Sequence, residues 1–202
     1  MEIIPAILTN KLNEFNQTLN NLSFSKTIQV DIMDGKLTPN KSVDLEDLPI
    51  ISNQFVEVHL MTTNPIKNLL QIKDKAYKRV IAHIETLESP YLFAMDAKNH
   101  GLEPCIAFSP QTKPRKVEGF KRYLFLTVNP GSQGQLFLEN KLNEIKAFKD
   151  KNPDLIVGVD GGVNLNNITK LTFLDYVCVG SYLTKSTNPK KNYEKLVQKI
   201  GS

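Results

Sequence analysis

Short apolar, β-branched runs alternate along the chain with longer stretches in which apolar residues recur every three or four positions. The short runs predict eight strands, at residues 3–8, 27–32, 55–60, 77–84, 103–108, 123–128, 155–159 and 176–179. The longer stretches predict helices over 12–22, 65–73, 90–99, 138–150, 164–169 and 189–200, while the connections after the second and fifth strands are short or weakly patterned. Strand and helix taking turns in this way is the pattern of a parallel sheet with helical crossovers. Eight such units predict an α/β fold, a (β/α)8 TIM barrel spanning 1–202 as a single domain, close to the lower length limit of about 200 residues for that architecture. An open doubly wound sheet is the alternative, but the run Pro5-Ala6-Ile7-Leu8-Thr9-Asn10 after the first strand has none of its glycines.

Composition adds little and removes several classes. With 41% hydrophobic and 23% charged residues in 202, the chain can bury a full core and is neither disordered nor collagen-like. A net charge of +4 spread over interspersed lysines and acids is modest for a nucleic-acid binder, so no nucleic-acid partner is expected. The lysines Lys185, Lys190, Lys191, Lys195 and Lys199, set around Leu196, Val197 and Ile200, read as the solvated face of a closing helix. No apolar run approaches a membrane span and Met1-Glu2-Ile3-Ile4-Pro5 does not resemble a leader, so no membrane partner and a cytoplasmic location are expected. Cys105 and Cys178 each sit in an apolar segment and are expected to be buried free thiols.

In a barrel of this kind, chemistry belongs at the C-terminal ends of the strands. Asp31, His59 and Asp160 lie there within apolar segments, where alternation turns their neighbours outward and them inward. Buried carboxylates must be paired. Two of them with an imidazole at one mouth point either to a divalent metal site or to an acid/base pair. A second group follows the last three strands: Gly131-Ser132-Gln133-Gly134, Gly161-Gly162 and Gly180-Ser181, placed where backbone amides bind phosphate in such barrels. His83 and Glu85 read as residues that back the site from behind its ligands or as a hydrogen-bonded wall, Lys36 as an ordinary exposed lysine before a second reading in which its ammonium nears the mouth, and His100 as a helix-end residue.

Several motifs occur in order: Val30-Asp31-Ile32-Met33-Asp34-Gly35 with Pro39-Asn40, Val58-His59-Leu60-Met61, Val128-Asn129-Pro130-Gly131 and Val159-Asp160-Gly161-Gly162-Val163. In these the chain resembles the ribulose-phosphate 3-epimerases almost from end to end. The resemblance implies a barrel of the ribulose-phosphate-binding type that inverts C3 of a ketose phosphate, interconverting ribulose 5-phosphate and xylulose 5-phosphate through an enediolate. It implies a divalent metal of the Zn, Fe, Mn or Co type, with Asp31 and Asp160 as ligands and as the acid/base pair, and His59 as a further ligand. It also places Met33, Met61 and Asn129 against the substrate, with Gly131, Gly134, Gly161, Gly162, Gly180 and Ser181 around its phosphate. A homo-oligomer built through outer helices, as relatives often form, is left open.

The departures from the family pattern gather on the metal side. Gln29 stands where a histidine ligand is usual, and an amide favours harder ions than zinc if it coordinates. Ala6 replaces a serine, Leu126 a methionine, Lys36 a histidine, and Ser132-Gln133 a Phe-Gly pair. Two rival expectations follow: a phosphosugar-binding paralogue with impaired catalysis, and an epimerase of another ketose phosphate that needs no metal.

Overall fold

The computed structural model describes residues 1–131 and 134–201. The strands β1 (Glu2–Ile7), β2 (Thr27–Met33), β3 (Phe55–Met61), β4 (Arg79–His83), β5 (Glu103–Phe108), β6 (Arg122–Leu126), β7 (Ile156–Asp160) and β8 (Tyr176–Val179) pair in parallel in chain order, and β8 closes onto β1. Around this eight-stranded barrel lie α1 (Leu12–Asn21), α2 (Leu69–Asp74), α3 (Pro90–Asn99), α4 (Leu142–Lys151), the single turn α5 (Ser181–Thr184) and α6 (Pro189–Gly201).

Alternation along the strands divides the core into two. Val30, Val58, Val80, Ile106 and Val157 face outward and pack with Phe15, Phe93, Ile145 and Leu196 from the helices. Fully burying a side chain such as Phe93 or Leu196 contributes about 2 to 3 kcal/mol. The opposite faces fill the barrel with Ile4, Ala6, Ile81, Cys105, Leu124, Leu126 and Cys178. Below them, Glu57 is fully buried and paired with Arg79 at 2.6 Å, and Arg79 reaches Glu103 at 2.7 Å. The Arg122 guanidinium lies 3.6 Å from the centre of the Tyr176 ring. That ring in turn covers Gly158, where a Cβ would come within 2.4 Å of it.

The expected helix over 164–169 is not formed; only a 3-10 turn at Ile168–Leu171 occurs there. Asparagine side chains have taken the backbone's partners: Asn167 Oδ1 accepts from Asn164 N at 2.8 Å, Asn164 Oδ1 accepts from Asn166 N at 2.9 Å, and both amides donate to Gly162 O. The helix expected over 65–73 opens as a 3-10 segment, Pro65–Asn68, and becomes α-helical at Leu69. Likewise, 138–150 begins with a 3-10 turn, Glu139–Lys141, before α4. The connection after β2 holds only the 3-10 turn Leu45–Asp47, and the one after β5, punctuated by Pro110, Pro114 and Gly119, holds no helix. β4 starts at Arg79 rather than at Tyr77, whose hydroxyl donates to Pro49 O at 2.6 Å. β7 runs one residue further than expected and so includes Asp160.

Candidate active site

Residues 29, 31 and 33 of β2 share the inward face, as do 57, 59 and 61 of β3, and in register Asp31 stands beside His59 and Met33 beside Met61. Asp160 closes the group from the end of β7. One ligand atom from each of Asp31, His59 and Asp160 can be chosen so that all three lie within 4.8 Å of one another.

Gln29, with no exposed surface, sits directly beneath them. Its Nε2 donates to Asp31 Oδ1 at 2.8 Å and to Asp160 Oδ2 at 2.7 Å, while its Oε1 accepts from Cys178 Sγ at 3.1 Å. His59 Nδ1 lies 3.1 Å from Asp31 Oδ1 and 3.6 Å from Asp160 Oδ2. Its Nε2 is 2.9 Å from His83 Nε2. Beyond, His83 Nδ1 is 3.3 Å from Ser109 Oγ and 3.4 Å from Glu85 Oε2.

Electrostatics fix the protons in this chain. Burial alone would lower the pKa of His59, but its bonds to Asp160 and Asp31 outweigh that and raise it to about 9. Burial lowers His83, more than Glu85 lifts it. His59 is therefore an imidazolium that donates from Nδ1 to Asp31 and from Nε2 to a neutral His83, whose own Nδ1–H points toward Ser109 and Glu85. Burial pushes Asp31 upward, as does the neighbouring Asp160, against the lowering bonds from His59 and Gln29. Glu85 resists the upward push of burial through His83, Thr112 and the Ser109 amide, and falls to about 2. The wall expected at His83 and Glu85 is thus the end of a hydrogen-bonded line that begins at the carboxylates. Asp34 is a staple instead: its oxygens accept from the amides of Lys36, Leu37 and Thr63 at 2.8 to 3.1 Å.

Above the group opens a hollow of about 560 Å³, counting its mouth. Asp31, His59, Asp160, Met61, Asn129, Gly131, Gly134, Gly161, Gly162, Gly180 and Ser181 all line it, with Ala6 and Leu126. Met33 lines an adjoining groove that shares Leu8 and Gly131 with this hollow. Ser132 and Gln133 of the expected phosphate loop lie outside the described residues. Gly161 has φ +118° and leaves no room for a side chain, since a Cβ would stand 2.4 Å from Val128 Cγ2. Thr127 Oγ1 donates to Asp160 O at 3.0 Å and Gly161 O at 2.6 Å, and Asn40 Nδ2 donates to Gly131 O at 2.7 Å, so the strand ends and their loops are cross-tied.

Two features escaped the sequence reading. The turn α5 directly follows Gly180. The Lys185 ammonium, assigned to a solvated face, stands 3.8 Å from the position of a Cβ on Gly134. Lys36 is exposed, His100 caps α3 with Nδ1 2.8 Å from Asp96 O, and both cysteines are buried and free. Among the described residues no helix is long and apolar enough to cross a membrane.

As a donor set, two carboxylates and one imidazole suit a divalent ion and leave positions open for substrate, so Asp31, His59 and Asp160 fit such a metal. A closed parallel barrel with two carboxylates and an imidazole at its C-terminal mouth, ringed by glycine loops, places the chain in the class of (β/α)8-barrel proteins with the candidate site at the strand ends. Comparison with known proteins narrows the class. The family described as the Ribulose-phosphate 3 epimerase family matches residues 2–184, and the chain belongs to that family of isomerases. It is 30% identical to the ribulose-phosphate 3-epimerase of Helicobacter pylori, over 97% of this chain and 96% of that one. It is 31% identical to the enzyme of the same name from Buchnera aphidicola, over 98% and 94%. Among solved structures, KGPDC from Streptococcus mutans in complex with D-R5P superposes with a TM-score of 0.70 at 9% identity, covering 99% of this chain and 97% of that one. A 3-hexulose-6-phosphate synthase follows at 0.69 and 12% identity, covering 99% and 100%; both likenesses concern the fold.

Proposed function

We propose that the protein inverts C3 of ribulose 5-phosphate to give xylulose 5-phosphate, and the reverse, by proton transfer between two carboxyl groups. The reading rests above all on the convergence of Asp31 and Asp160 on one donor, Gln29 Nε2, at the floor of the hollow. A proton beside a ketone is removed from one face and returned on the other, which requires one ionised and one protonated carboxyl group. The ionised one takes the proton from C3, the C–H electron pair becomes the C2–C3 double bond, and the carbonyl oxygen gains the charge of an enediolate. The protonated one then delivers its proton to the opposite face of C3, and the carbonyl re-forms. The upward push on Asp31 from burial and from Asp160 disfavours two full charges together, which suits a pair that shares a proton.

His59 holds an N–H at the edge of this pair and stabilises negative charge there. A divalent ion held by Asp31, His59 and Asp160 would take the place of that His59 proton and supply Lewis-acid stabilisation of the enediolate oxygens instead. Met61 and Asn129 line the sugar's path, with Met33 in the adjoining groove. The phosphate is assigned to the loops at Gly131, Gly134, Gly161, Gly162, Gly180 and Ser181, with Lys185 nearby to supply positive charge.

The test is exchange. Wild type in deuterium oxide should place deuterium at C3 of ribulose 5-phosphate and form xylulose 5-phosphate. Asp31→Asn and Asp160→Asn should each lose at least about a thousandfold while keeping the native circular dichroism and melting cooperatively. Undiminished exchange in either variant rejects the pair, and binding without exchange in wild type selects the impaired paralogue.

A further inference from the structure

We propose that Gln29 is a ligand that turns: its amide ties the two aspartates together when no ion is bound, and rotates by half a turn to give a divalent ion its oxygen, with Cys178 switching from donor to acceptor behind it. The proposal rests on the reading that Asp31, His59 and Asp160 hold that ion.

In the orientation described, Gln29 presents both its N–H bonds to the cluster, to Asp31 Oδ1 at 2.8 Å and Asp160 Oδ2 at 2.7 Å. An arriving cation would meet hydrogen atoms there, not a lone pair. Rotation about the last side-chain bond exchanges oxygen and nitrogen within the same volume and moves no other atom of the residue. For a residue with no exposed surface such a turn is normally forbidden, because the partner behind the amide is left facing the wrong group.

Here the partner can change roles. The atom behind Gln29 is Cys178 Sγ, 3.1 Å from Oε1, and a thiol both donates and accepts. In the present orientation its S–H points to Oε1. After the turn its sulfur accepts from the Gln29 NH2, and the S–H has an alternative acceptor in Glu57 Oε1, 3.9 Å away. Glu57 is itself held by Arg79 at 2.6 Å, so it remains in place to receive that hydrogen. Every polar atom in the column therefore has a partner in both orientations. Once the ion has displaced the His59 proton, the turned site offers three oxygen donors and one nitrogen, a harder set than one with a second imidazole, and so narrows the preference for Zn2+ over Mn2+.

The experiment titrates Mn2+ into metal-stripped full-length protein and follows the electron paramagnetic resonance signal of the free ion, which needs no turnover. Wild type should bind one Mn2+ per chain. Gln29→Leu and Cys178→Ala should each weaken binding about 10- to 100-fold. Cys178→Ser should bind within a few-fold of wild type, since a hydroxyl also serves both roles, and Gln29→His should move the Zn2+ over Mn2+ preference upward about tenfold or more. Cys178→Val covers the case in which the alanine variant fails to fold, and should bind as weakly as Cys178→Ala is expected to. Wild-type affinity in Gln29→Leu, in Cys178→Ala or in Cys178→Val overturns the proposal, as does a serine variant as weak as alanine, or no Mn2+ binding by wild type. Deuterium exchange separates the two readings: this binding pattern without exchange removes the epimerase assignment alone, whereas exchange with binding indifferent to these variants removes the turning amide alone.

Discussion

The charge on His59 makes stability depend on pH in a window where few other groups of this protein titrate. Its pKa is 6.5 in a free side chain and about 9 in the folded site, set by Asp160 and Asp31 against the opposing effect of burial. A raised pKa means that the folded state binds the proton more tightly, so the contribution is fully present below about 6.5 and is lost as pH rises through about 9. The difference, near two and a half units, amounts to about 3 kcal/mol, and the loss should be steepest between about pH 7 and 8.5 at roughly 1 kcal/mol per unit. Burial drives Cys105 and Cys178 upward and out of this window. The assay is urea unfolding with a chelator at half-unit steps from about pH 6 to 9.5, on wild type and on His59→Gln. Wild type should lose about 3 kcal/mol across the range and the variant much less. Parallel curves would refute the imidazolium and with it the proton order assigned to His59 and His83.

Two further outcomes follow from the packing. Gly161→Ala places a methyl against Val128 in a backbone conformation, φ +118°, that side chains rarely adopt, so it should cost about 1 to 3 kcal/mol in denaturant unfolding and raise KM for the phosphorylated ketose more than it lowers kcat. Arg79→Met leaves the fully buried Glu57 with Arg122, at 3.9 Å, as its one cationic partner among the described residues, and should cost about 3 to 5 kcal/mol by the same measurement.

The strands were legible because burial on both faces of a barrel strand leaves an apolar run that few helices imitate, and all eight segments were found at the expected places. Asp31, His59 and Asp160 stood out for the same reason, as ionisable residues inside those runs. What could not be read was the outcome of local competition. Asn164, Asn166 and Asn167 have apolar neighbours at helical spacing, yet the first and third close short loops through their own amides. Nor could spacing reveal Lys185, because a lysine after α5 looks the same whether it faces solvent or leans toward Gly134. Gln29 was visible as an anomaly, but its consequence depends on Cys178, which β8 brings beside it from 149 residues away in the chain.

That pairing bears on how the site tolerates its own composition. A barrel interior is an expensive place for charge, and here Glu57, Arg79 and Arg122 occupy its floor while Asp31, His59 and Asp160 occupy its mouth. An uninterrupted apolar layer between them would leave the lower side of both aspartates without donors. Gln29 and Cys178 prevent this by carrying hydrogen bonds from mouth to floor through neutral groups, at 2.7, 2.8, 3.1 and 3.9 Å along the column. Neutral carriers matter, because an amide and a thiol satisfy the carboxylates without the desolvation cost of another ion. A histidine at position 29 carries at most one hydrogen on each ring nitrogen, so it could not tie both aspartates from a single atom as the amide NH2 does. On this argument the departure at position 29 is the one whose replacement should change metal preference most.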